Sequence, residues 1–301
     1  MREAVRRDLA EAAVKIEFEA PLSKYTSLRV GGPATALASP RNLDELAALL
    51  EICLRHGLET RVLGAGFNTL VRDAGFDGVL IVMRHFRGLE ASGTTLRAEA
   101  GTSHSQITKF CIEHGLAGLE FGAGIPGTVG GWVAMNAGIG AREIKDVVLE
   151  VEWLAIDGSR GCAPRAELDF GYRHFRLPVA GAVITAARFH TEARASAEIR
   201  AEVDRLLDQR SGSQPLDQPS CGSVFKNPEG AFAGELIDSA NLKGTRVGGA
   251  EISTLHANFI VNRGGATARD VIELIDLARD AVQRIHGVCL ETEVQIVGRE
   301  A

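Results

Sequence analysis

Apolar and polar positions alternate with two different periods along this chain. Apolar side chains recur at helical spacing over residues 39–56, which predicts a helix with Ser39 as its N-cap and Gly57 at its end. Residues 78–82 are continuously apolar, as in a strand covered on both faces, and residues 94–99 alternate, as in a half-buried strand. The chain is therefore expected to mix helices with strands.

The same patterns and their capping signals predict further elements. Further helices are expected at residues 1–13, 103–114 behind the capping box Ser103-x-x-Gln106, 195–209, 232–240 and 267–286 behind Thr267-x-x-Asp270. Further strands are expected at residues 25–30 directly before the turn Gly31-Gly32-Pro33, and at 60–63, 147–156, 183–190, 258–261 and 288–297. In the last strand Glu291 and Glu293 would share one face, because strand side chains alternate with period two.

Composition narrows the class of protein. The 301 residues carry a net charge of −6, with 45% hydrophobic and 24% charged residues. These values predict a globular chain of two or three domains and no nucleic-acid or membrane partner. No signal peptide or spanning segment is expected, which favours a cytoplasmic protein.

Cysteine and histidine spacing argues against a metal centre. The five cysteines are scattered without a C-x-x-C pair, and the eight histidines show no H-E-x-x-H spacing. We therefore expect buried thiols and no bound metal.

Residues 118–140 hold eight of the 34 glycines. Glycine lets the backbone lie against a ligand at a cost of about 0.5 to 1 kcal/mol each in folding entropy. Pro126 fixes its own φ, whereas Gly127, Gly130 and Gly131 could leave bare N–H groups that surround phosphate oxygens. A pyrophosphate cradle is one interpretation of this segment, and a series of tight turns between strands is the other.

Residues 122–127 also match the spacing G-x-G-x-x-G of a Rossmann dinucleotide site. Such a fingerprint must end a strand and open a helix, and Pro126, Gly130 and Gly131 are poor helix formers. We therefore reject the Rossmann interpretation and expect one ligand spanned by several glycine loops.

Several motifs occur together in a fixed order. They are YTSLRVGGPA at 25–34, VLGAGFNTLV at 62–71, AGIPGTVGG at 123–131, FGYR at 170–173, GSVFKNP at 222–228, HANFIVN at 256–262 and LETEV at 290–294. In this order the motifs resemble the UDP-N-acetylenolpyruvoylglucosamine reductase (MurB) family over nearly the whole chain. With tyrosine only at 25 and 172, the chain resembles the shorter type that lacks a tyrosine-bearing substrate loop.

The resemblance implies an α+β fold with a two-part FAD-binding region of the vanillyl-alcohol-oxidase (PCMH-type) superfamily. Residues 1–83 and 84–210 would be its two subdomains, and residues 211–301 a C-terminal α+β domain that binds the UDP-sugar. The polar, proline-marked segment 211–222 supports the last boundary. The implied reaction uses NADPH and FAD to reduce the enolpyruvyl UDP-sugar to UDP-N-acetylmuramate, a peptidoglycan precursor.

The family motifs also imply site residues. Arg173 would stabilise the enolate, Glu293 would polarise or orient the same group, and Ser223 would supply the proton. Substrate contacts would come from Lys226 and Asn227, with Gln214, His256 and Arg210 as weaker candidates. The implied FAD contacts are Tyr25, Ser27, Arg29, Gly31, Gly64, Gly66, Asn68, Thr69, Gly124, Ile125, Pro126, Gly127, Thr128, Gly130 and Gly131.

Four positions depart from the family pattern: Phe67, Trp132, Ala134 and Phe175. They concern flavin or substrate contacts rather than the three catalytic positions. Two other functions stay open at this point. One is an FAD oxidoreductase of the same superfamily that acts on an alcohol or hydroxy acid, and the other is a nucleotide-binding regulator without catalysis.

Overall fold

A computed structural model describes residues 2–140 and 142–300. Its helices are α1 (Glu3–Glu11), α2 (Leu43–His56), α3 (His104–His114), α4 (Val129–Ala134), α5 (Ser196–Ser211), α6 (Ala233–Ser239) and α7 (Ala268–His286). None of the helices within those two ranges is long and apolar enough to cross a lipid bilayer.

The strands are short and numerous. Those up to residue 140 are β1 (Lys15–Pro21), β2 (Pro33–Ser39), β3 (Thr60–Leu63), β4 (Thr69–Val71), β5 (Phe76–Val82), β6 (Leu89–Ser92), β7 (Thr95–Glu99), β8 (Leu116–Ala117) and β9 (Gly138–Ile139). Those after it are β10 (Arg142–Glu143), β11 (Val148–Leu154), β12 (Arg160–Pro164), β13 (Asp169–Gly171), β14 (His174–Arg176), β15 (Val183–His190), β16 (Glu192–Ala193), β17 (Ser220–Ser223), β18 (Arg246–Val247), β19 (Ala250–Ile252), β20 (Phe259–Asn262) and β21 (Gln295–Val297).

The chain divides into two compact units, and each is built from three separate segments. Unit 1 holds Met1–Phe18, Ala36–Gly64 and Gly78–Gln209. Unit 2 holds Glu19–Thr35, Ala65–Asp77 and Arg210–Ala301. The division into residues 1–83, 84–210 and 211–301 stays a prediction.

Unit 1 is centred on a five-stranded antiparallel sheet of order β12-β11-β15-β7-β6. Its apolar face packs with α3 and α4, through side chains such as Val151, Phe189 and Trp132. A second sheet, of order β1-β2-β5-β3, contains the parallel pair β3 and β5. The second core of this unit lies where α2 packs through Leu46 and Leu50.

Unit 2 contains the antiparallel sheet β17-β20-β19-β18 and the parallel pair β4 and β21. The long helix α7 contributes Val271 and Leu274 to the core of this unit. Leu28 and Leu70 are fully buried in the same core, although they come from the first quarter of the chain. Three distant segments therefore share one hydrophobic core.

Both predicted capping boxes are confirmed. The Ser103 side chain accepts from the backbone of Gln106 at the start of α3, and Thr267 does the same for Asp270 at the start of α7. The helix α2 ends at His56 with Gly57 in the left-handed conformation, as expected.

Three sequence predictions about element bounds were wrong. The helix predicted from Ser39 starts at Leu43, because Ser39 ends β2 and Asn42 is the N-cap that accepts from Glu45 N–H. Residues 25–30 are turns and irregular backbone, and the strand begins after Gly31-Gly32, at Pro33. The last strand covers only Gln295–Val297 rather than 288–297.

Candidate functional site

The glycine-rich segment of unit 1 is a loop that leads into α4. Gly124 and Gly127 have φ of 76° and 120°, and a Cβ at Gly127 would have no heavy atom within 4 Å. The loop therefore has a glycine-specific backbone that borders open space. A phosphate group could approach this backbone closely, since there is no side chain in the way.

The N–H groups that follow this loop are partly used within the protein. The Val129 N–H donates to Thr102 O at 3.0 Å, and the Gly130 N–H donates to Ala100 O at 2.9 Å. The expectation that Gly130 offers a bare donor was therefore wrong. Glycine is needed at position 130 for a steric reason, because a Cβ there would lie only 3.2 Å from the Ala100 Cβ.

Gly130 and Gly131 both lie inside the six-residue helix α4, so the expectation that they oppose a helix was also wrong. The Rossmann interpretation is nevertheless excluded by the fold. The fingerprint begins in a 3₁₀ turn, Glu120–Gly122, and not at the end of a strand, and the large sheet of this unit is antiparallel. A Rossmann site needs a parallel βαβ unit.

Two predicted FAD positions of unit 1 are neighbours in space. A Cβ at Gly64, directly after β3, would lie 3.1 Å from the Thr128 Oγ1 at the N-terminus of α4. The structure thus brings the glycine loop that begins at Gly64 close to the glycine loop that ends at Thr128. Ile125 and Pro126 lie in the same loop as Gly127.

In unit 2, the segment that contains Tyr25 and Ser27 packs backbone to backbone against Gly66. A Cβ at Gly66 would lie 2.2 Å from Tyr25 O. The Ser27 hydroxyl is within hydrogen-bond distance of Gly66 O at 2.9 Å and of Ser220 O at 2.7 Å. Nearby, Arg29 is exposed with φ of 58°, and Gly31 has φ of 119°.

Asn68 and Thr69 connect this region to the C-terminal residues of unit 2. The Asn68 Nδ2 donates to Glu293 O at 3.1 Å, and the Gln295 N–H donates to Asn68 O at 3.1 Å. Thr69 is paired with Gln295 in the parallel ladder of β4 and β21. A predicted FAD residue therefore touches a predicted catalytic residue.

Ser223 and Glu293 are brought together by main-chain hydrogen bonds. The Glu293 N–H donates to Val224 O at 2.8 Å, and Phe225 pairs with Thr292 in an isolated β-bridge. Ser223 is the last residue of β17, directly before Val224. Both side chains are half-buried in unit 2.

The environment of Cys221 supports this arrangement. Full burial raises the pKa of the Cys221 thiol to about 12, and the negative charge of Glu293 contributes to the same direction. A thiol with this pKa stays protonated at neutral pH. Cys221 is therefore a packing residue beside the candidate site and not a nucleophile.

Glu291 has a different role from Glu293. It is exposed, and its carboxylate forms an ion pair of 2.5 Å with the Lys226 Nζ. The expected shared strand face is not observed, because both acids lie in irregular backbone before β21. Lys226, a predicted substrate contact, also donates its N–H to Glu291 O at 2.9 Å.

The other predicted substrate residues occupy separate places in unit 2. The Asn227 Oδ1 accepts from Ala233 N–H at the start of α6. The Arg210 Nη2 donates to Gln214 Oε1 at 2.9 Å, and burial lowers the pKa of this guanidinium. The His256 Nδ1 accepts from Asn258 N–H at 3.2 Å, and burial followed by the charge of Lys243 lowers the pKa of the imidazole.

Arg173 lies in unit 1, in the two-residue turn of the hairpin formed by β13 and β14. Its backbone is left-handed, with φ of 52°. Its Nη2 donates to Gly138 O at 3.3 Å, and its Nη1 lies 3.8 Å from Glu143 Oε1. Asn136 and Glu143 were not expected from the sequence, although Asn136 lies in the glycine-rich segment.

The loops of unit 1 fit a dinucleotide cofactor. Gly127 borders open space with a backbone conformation that only glycine adopts readily, and Gly64 lies against Thr128. Main-chain N–H groups and a threonine hydroxyl are suitable donors for pyrophosphate oxygens. These residues therefore suit the phosphates of FAD.

Two family models match this chain. One, described as an FAD binding domain, covers residues 34–160, and the other, described as the C-terminal domain of UDP-N-acetylenolpyruvoylglucosamine reductase, covers residues 214–297. A reductase of that name from Moorella thermoacetica is 46% identical over 92% of this chain and 92% of its own length. The counterpart from Limosilactobacillus fermentum is 41% identical over 96% of both chains.

This chain belongs to the UDP-N-acetylenolpyruvoylglucosamine reductase family. The crystal structure of the reductase from Thermus caldophilus shares 38% sequence identity and superposes with a TM-score of 0.81, covering 94% of this chain and 98% of that one. The resemblance seen in the motifs is thus confirmed over the whole length of the reductase fold.

A more distant structure shares the fold alone. The protein described as Phl p 4.0202, a glucose dehydrogenase, is 12% identical with a TM-score of 0.51 over 64% of this chain. The predicted fold class, an FAD-binding region followed by a reductase-type C-terminal domain, is confirmed by the family models and by the Thermus caldophilus structure.

Proposed function

We propose that this protein is the UDP-N-acetylmuramate dehydrogenase of peptidoglycan precursor synthesis. It reduces the enolpyruvyl UDP-sugar with NADPH and FAD. The observation that supports this chemistry is the hydrogen bond from the Glu293 N–H to Val224 O, because Val224 directly follows Ser223 in the chain. The family membership supplies the substrate and the two cofactors.

When bound, FAD transfers the hydride equivalent between NADPH and the substrate. The FAD would be held by the glycine loops at residues 31, 64–66 and 124–131, together with Tyr25, Ser27 and Arg29. Gly127 and Thr128 would contact the pyrophosphate, because they combine open approach with donor groups.

The protein's own residues stabilise the charge that appears on the substrate. Addition of a hydride to the methylene carbon moves the electron pair of the double bond onto the α-carbon and its carboxylate. Arg173 would donate paired N–H bonds to these oxygens. Glu293 would orient or polarise the same carboxylate group.

Ser223 would complete the reduction by protonating the α-carbon. A serine hydroxyl is a weak acid and protonates only a strongly basic centre, and the enolate is such a centre. The hydride and the proton together saturate the carbon–carbon double bond, and the serine regains its proton from solvent. The half-buried position of Ser223 is compatible with this exchange.

Substrate binding is assigned to the polar residues of unit 2. Lys226 would bind the diphosphate as a point charge, in exchange for its ion pair with Glu291. Asn227 would contact the sugar or diphosphate, and Gln214, His256 and Arg210 are weaker candidates. A cytoplasmic location stays a prediction.

The test is turnover of the purified protein with NADPH and the enolpyruvyl UDP-sugar, followed by NADPH absorbance. We expect one NADPH to be consumed for each UDP-N-acetylmuramate formed, with a yellow protein that releases FAD on acid precipitation. A protein that is reduced by NADPH but not reoxidised by this sugar would contradict the proposal. Reduction of the flavin by an alcohol or hydroxy acid, followed by its reoxidation with oxygen, would favour the alternative superfamily function instead.

A further inference from the structure

The backbone of Arg173 is unusual for a bulky side chain. Its φ of 52° falls in the left-handed region that glycine and asparagine occupy most readily. A residue in this region persists only where the surrounding structure holds it. The contacts around the hairpin turn should therefore explain how the guanidinium is kept in place.

Asn136 makes three hydrogen bonds around this turn and is itself fully buried. Its Nδ2 lies 2.9 Å from both Gly171 O and Glu143 Oε2, and its Oδ1 accepts from Lys145 N–H at 3.0 Å. Gly171 ends β13 and directly precedes the turn. One amide side chain thus links the hairpin to the segment that contains Glu143.

Glu143 contacts the guanidinium itself. Its carboxylate is only 14% exposed and lies 3.8 Å from the Arg173 Nη1. The opposite oxygen is held by Asn136 and by an ion pair of 2.6 Å with the Lys145 Nζ. The Glu143 carboxylate also accepts from the Asp146 backbone N–H.

The two side chains restrict Arg173 in complementary ways. The Asn136 Nδ2 donates to the Gly171 carbonyl before the turn and so restricts the backbone conformation of the turn. Glu143 attracts one end of the guanidinium, while the Gly138 carbonyl accepts from the other nitrogen at 3.3 Å. A guanidinium that is oriented before the substrate arrives loses less entropy when it binds the developing charge.

We infer that Asn136 and Glu143 are positioning residues for Arg173, which set the angle at which its guanidinium meets the substrate carboxylate. This inference rests on the proposed function, because it gives Arg173 a substrate to act on. A purely structural role for the same pair predicts lost stability without selective loss of one half-reaction. The two roles are therefore separable by kinetics.

The principal variant is Glu143→Gln, which keeps the shape and removes the charge. Its matched control is Glu152→Gln, since Glu152 is a 21% exposed carboxylate of the same unit that pairs with Arg97 and Arg188. A second variant, Asn136→Gly, keeps the left-handed backbone at φ of 42° and removes all three hydrogen bonds.

Each variant is measured as a holoenzyme in three ways: thermal stability, reduction by NADPH, and reoxidation by the enolpyruvyl UDP-sugar without oxygen. We expect Glu143→Gln and Asn136→Gly to slow reoxidation by roughly 10- to 100-fold, since small misplacement of a reacting group has effects of this size. Reduction by NADPH should stay within about twofold of wild type, because the role proposed for Arg173 belongs to the second half-reaction alone.

A double-mutant cycle with Arg173→Ala decides between positioning and independent action. Once Arg173 is absent, Glu143→Gln should slow reoxidation by less than about threefold more, because coupled residues are not additive. Additive losses, equal slowing of both half-reactions, or the same loss in Glu152→Gln would overturn the inference.

Failure of the proposed function has a different signature. If the wild-type protein does not turn over the UDP-sugar, the function is wrong and the inference falls with it. If wild type turns over and Arg173→Ala is equally fast, only the role of the arginine and its positioning residues is rejected.

Discussion

The two units hold their predicted catalytic residues in place by different kinds of interaction. In unit 2, Ser223 and Glu293 are positioned by main-chain bonds, such as the Glu293 N–H to Val224 O bond of 2.8 Å. In unit 1, Arg173 has a left-handed backbone, its guanidinium lies near the Glu143 carboxylate, and the Asn136 side chain bonds that carboxylate and Gly171 O. Backbone pairing tolerates side-chain replacement, whereas a side-chain network does not.

This difference lets the loss of a reacting group be distinguished from the displacement of a reacting group. A substitution in the backbone-held part should remove the function of the replaced group and leave its neighbours where they are. A substitution near Arg173 should move a group that was not itself replaced.

Ser223→Ala should have the largest effect. Because β17 and its pairing do not depend on the hydroxyl, FAD binding and reduction by NADPH should stay nearly intact. Reoxidation by the enolpyruvyl substrate should slow by roughly 10²- to 10⁴-fold, the usual range for loss of a positioned general acid. Stopped-flow absorbance of each half-reaction measures this, with Ser223→Cys expected to retain more activity. Reoxidation of Ser223→Ala at the wild-type rate would show that the proton comes from elsewhere.

Glu293→Gln should slow turnover by roughly 10²-fold, which is typical for loss of one preorganised electrostatic group. The matched variant Glu291→Gln should have a much smaller effect, expressed as a lower KM, because the exposed Glu291 carboxylate competes with the diphosphate for Lys226. Steady-state kcat and KM for both variants give the comparison. Equal losses of kcat would contradict the separate roles of the two acids.

Gly130→Val should weaken FAD retention and stability together. A Cβ at Gly130 would lie 3.2 Å from the Ala100 Cβ and 3.3 Å from Ala100 O, so α4 must shift. Overpacking of this kind typically lowers the free energy of unfolding by about 1 to 3 kcal/mol.

Gly131 provides the contrast within the same helix. A Cβ there would lie 3.8 Å from the Thr128 Oγ1, which is ordinary contact. Gly131→Ala should therefore raise the stability of the apoprotein by up to about 1 kcal/mol through helix propensity. Thermal unfolding of the FAD-free protein measures both effects, and a stabilising Gly130→Val would disprove the steric argument.

The smallest effect concerns thiol reactivity. Burial raises the pKa of Cys53 to about 11 and those of Cys111 and Cys221 to about 12, so at pH 8 all three stay almost fully protonated. Alkylation of the folded protein should modify only the exposed Cys162 and Cys289, as measured by intact mass. The count should be the same in Ser223→Ala, and modification of Cys221 there would mean that the backbone-held part had opened.

The sequence predicted those features that depend on local signals. Capping boxes at Ser103 and Thr267 fixed the starts of α3 and α7, and the continuous or alternating apolar runs located β5, β7 and β15. Glycine loops and family motifs predicted the FAD-binding class of fold, which the family models confirm.

Features that depend on tertiary pairing were not predicted. Glu291 and Glu293 looked like strand residues because their spacing is two, yet their backbone is shaped by Val224 and Lys226, which are distant in sequence. The strand expected before Gly31-Gly32 failed because the Tyr25 segment packs against Gly66. The hydrogen bonds of Asn136 to Gly171 and Glu143 span turns that no local pattern encodes.

The interleaved segments of unit 2 have a consequence for synthesis on the ribosome. Leu28, Val30 and Leu70 are buried in a core that is otherwise made by residues 210–301. At typical translation rates the C-terminal segment is completed roughly 10 to 45 s after residue 77 is made, and until then these side chains have no partners. We therefore expect the nascent chain to bind chaperones that recognise exposed apolar segments during this interval. A C-terminal fragment starting at residue 214 would lack β4, the parallel partner of β21, and the buried side chains of Leu28 and Leu70.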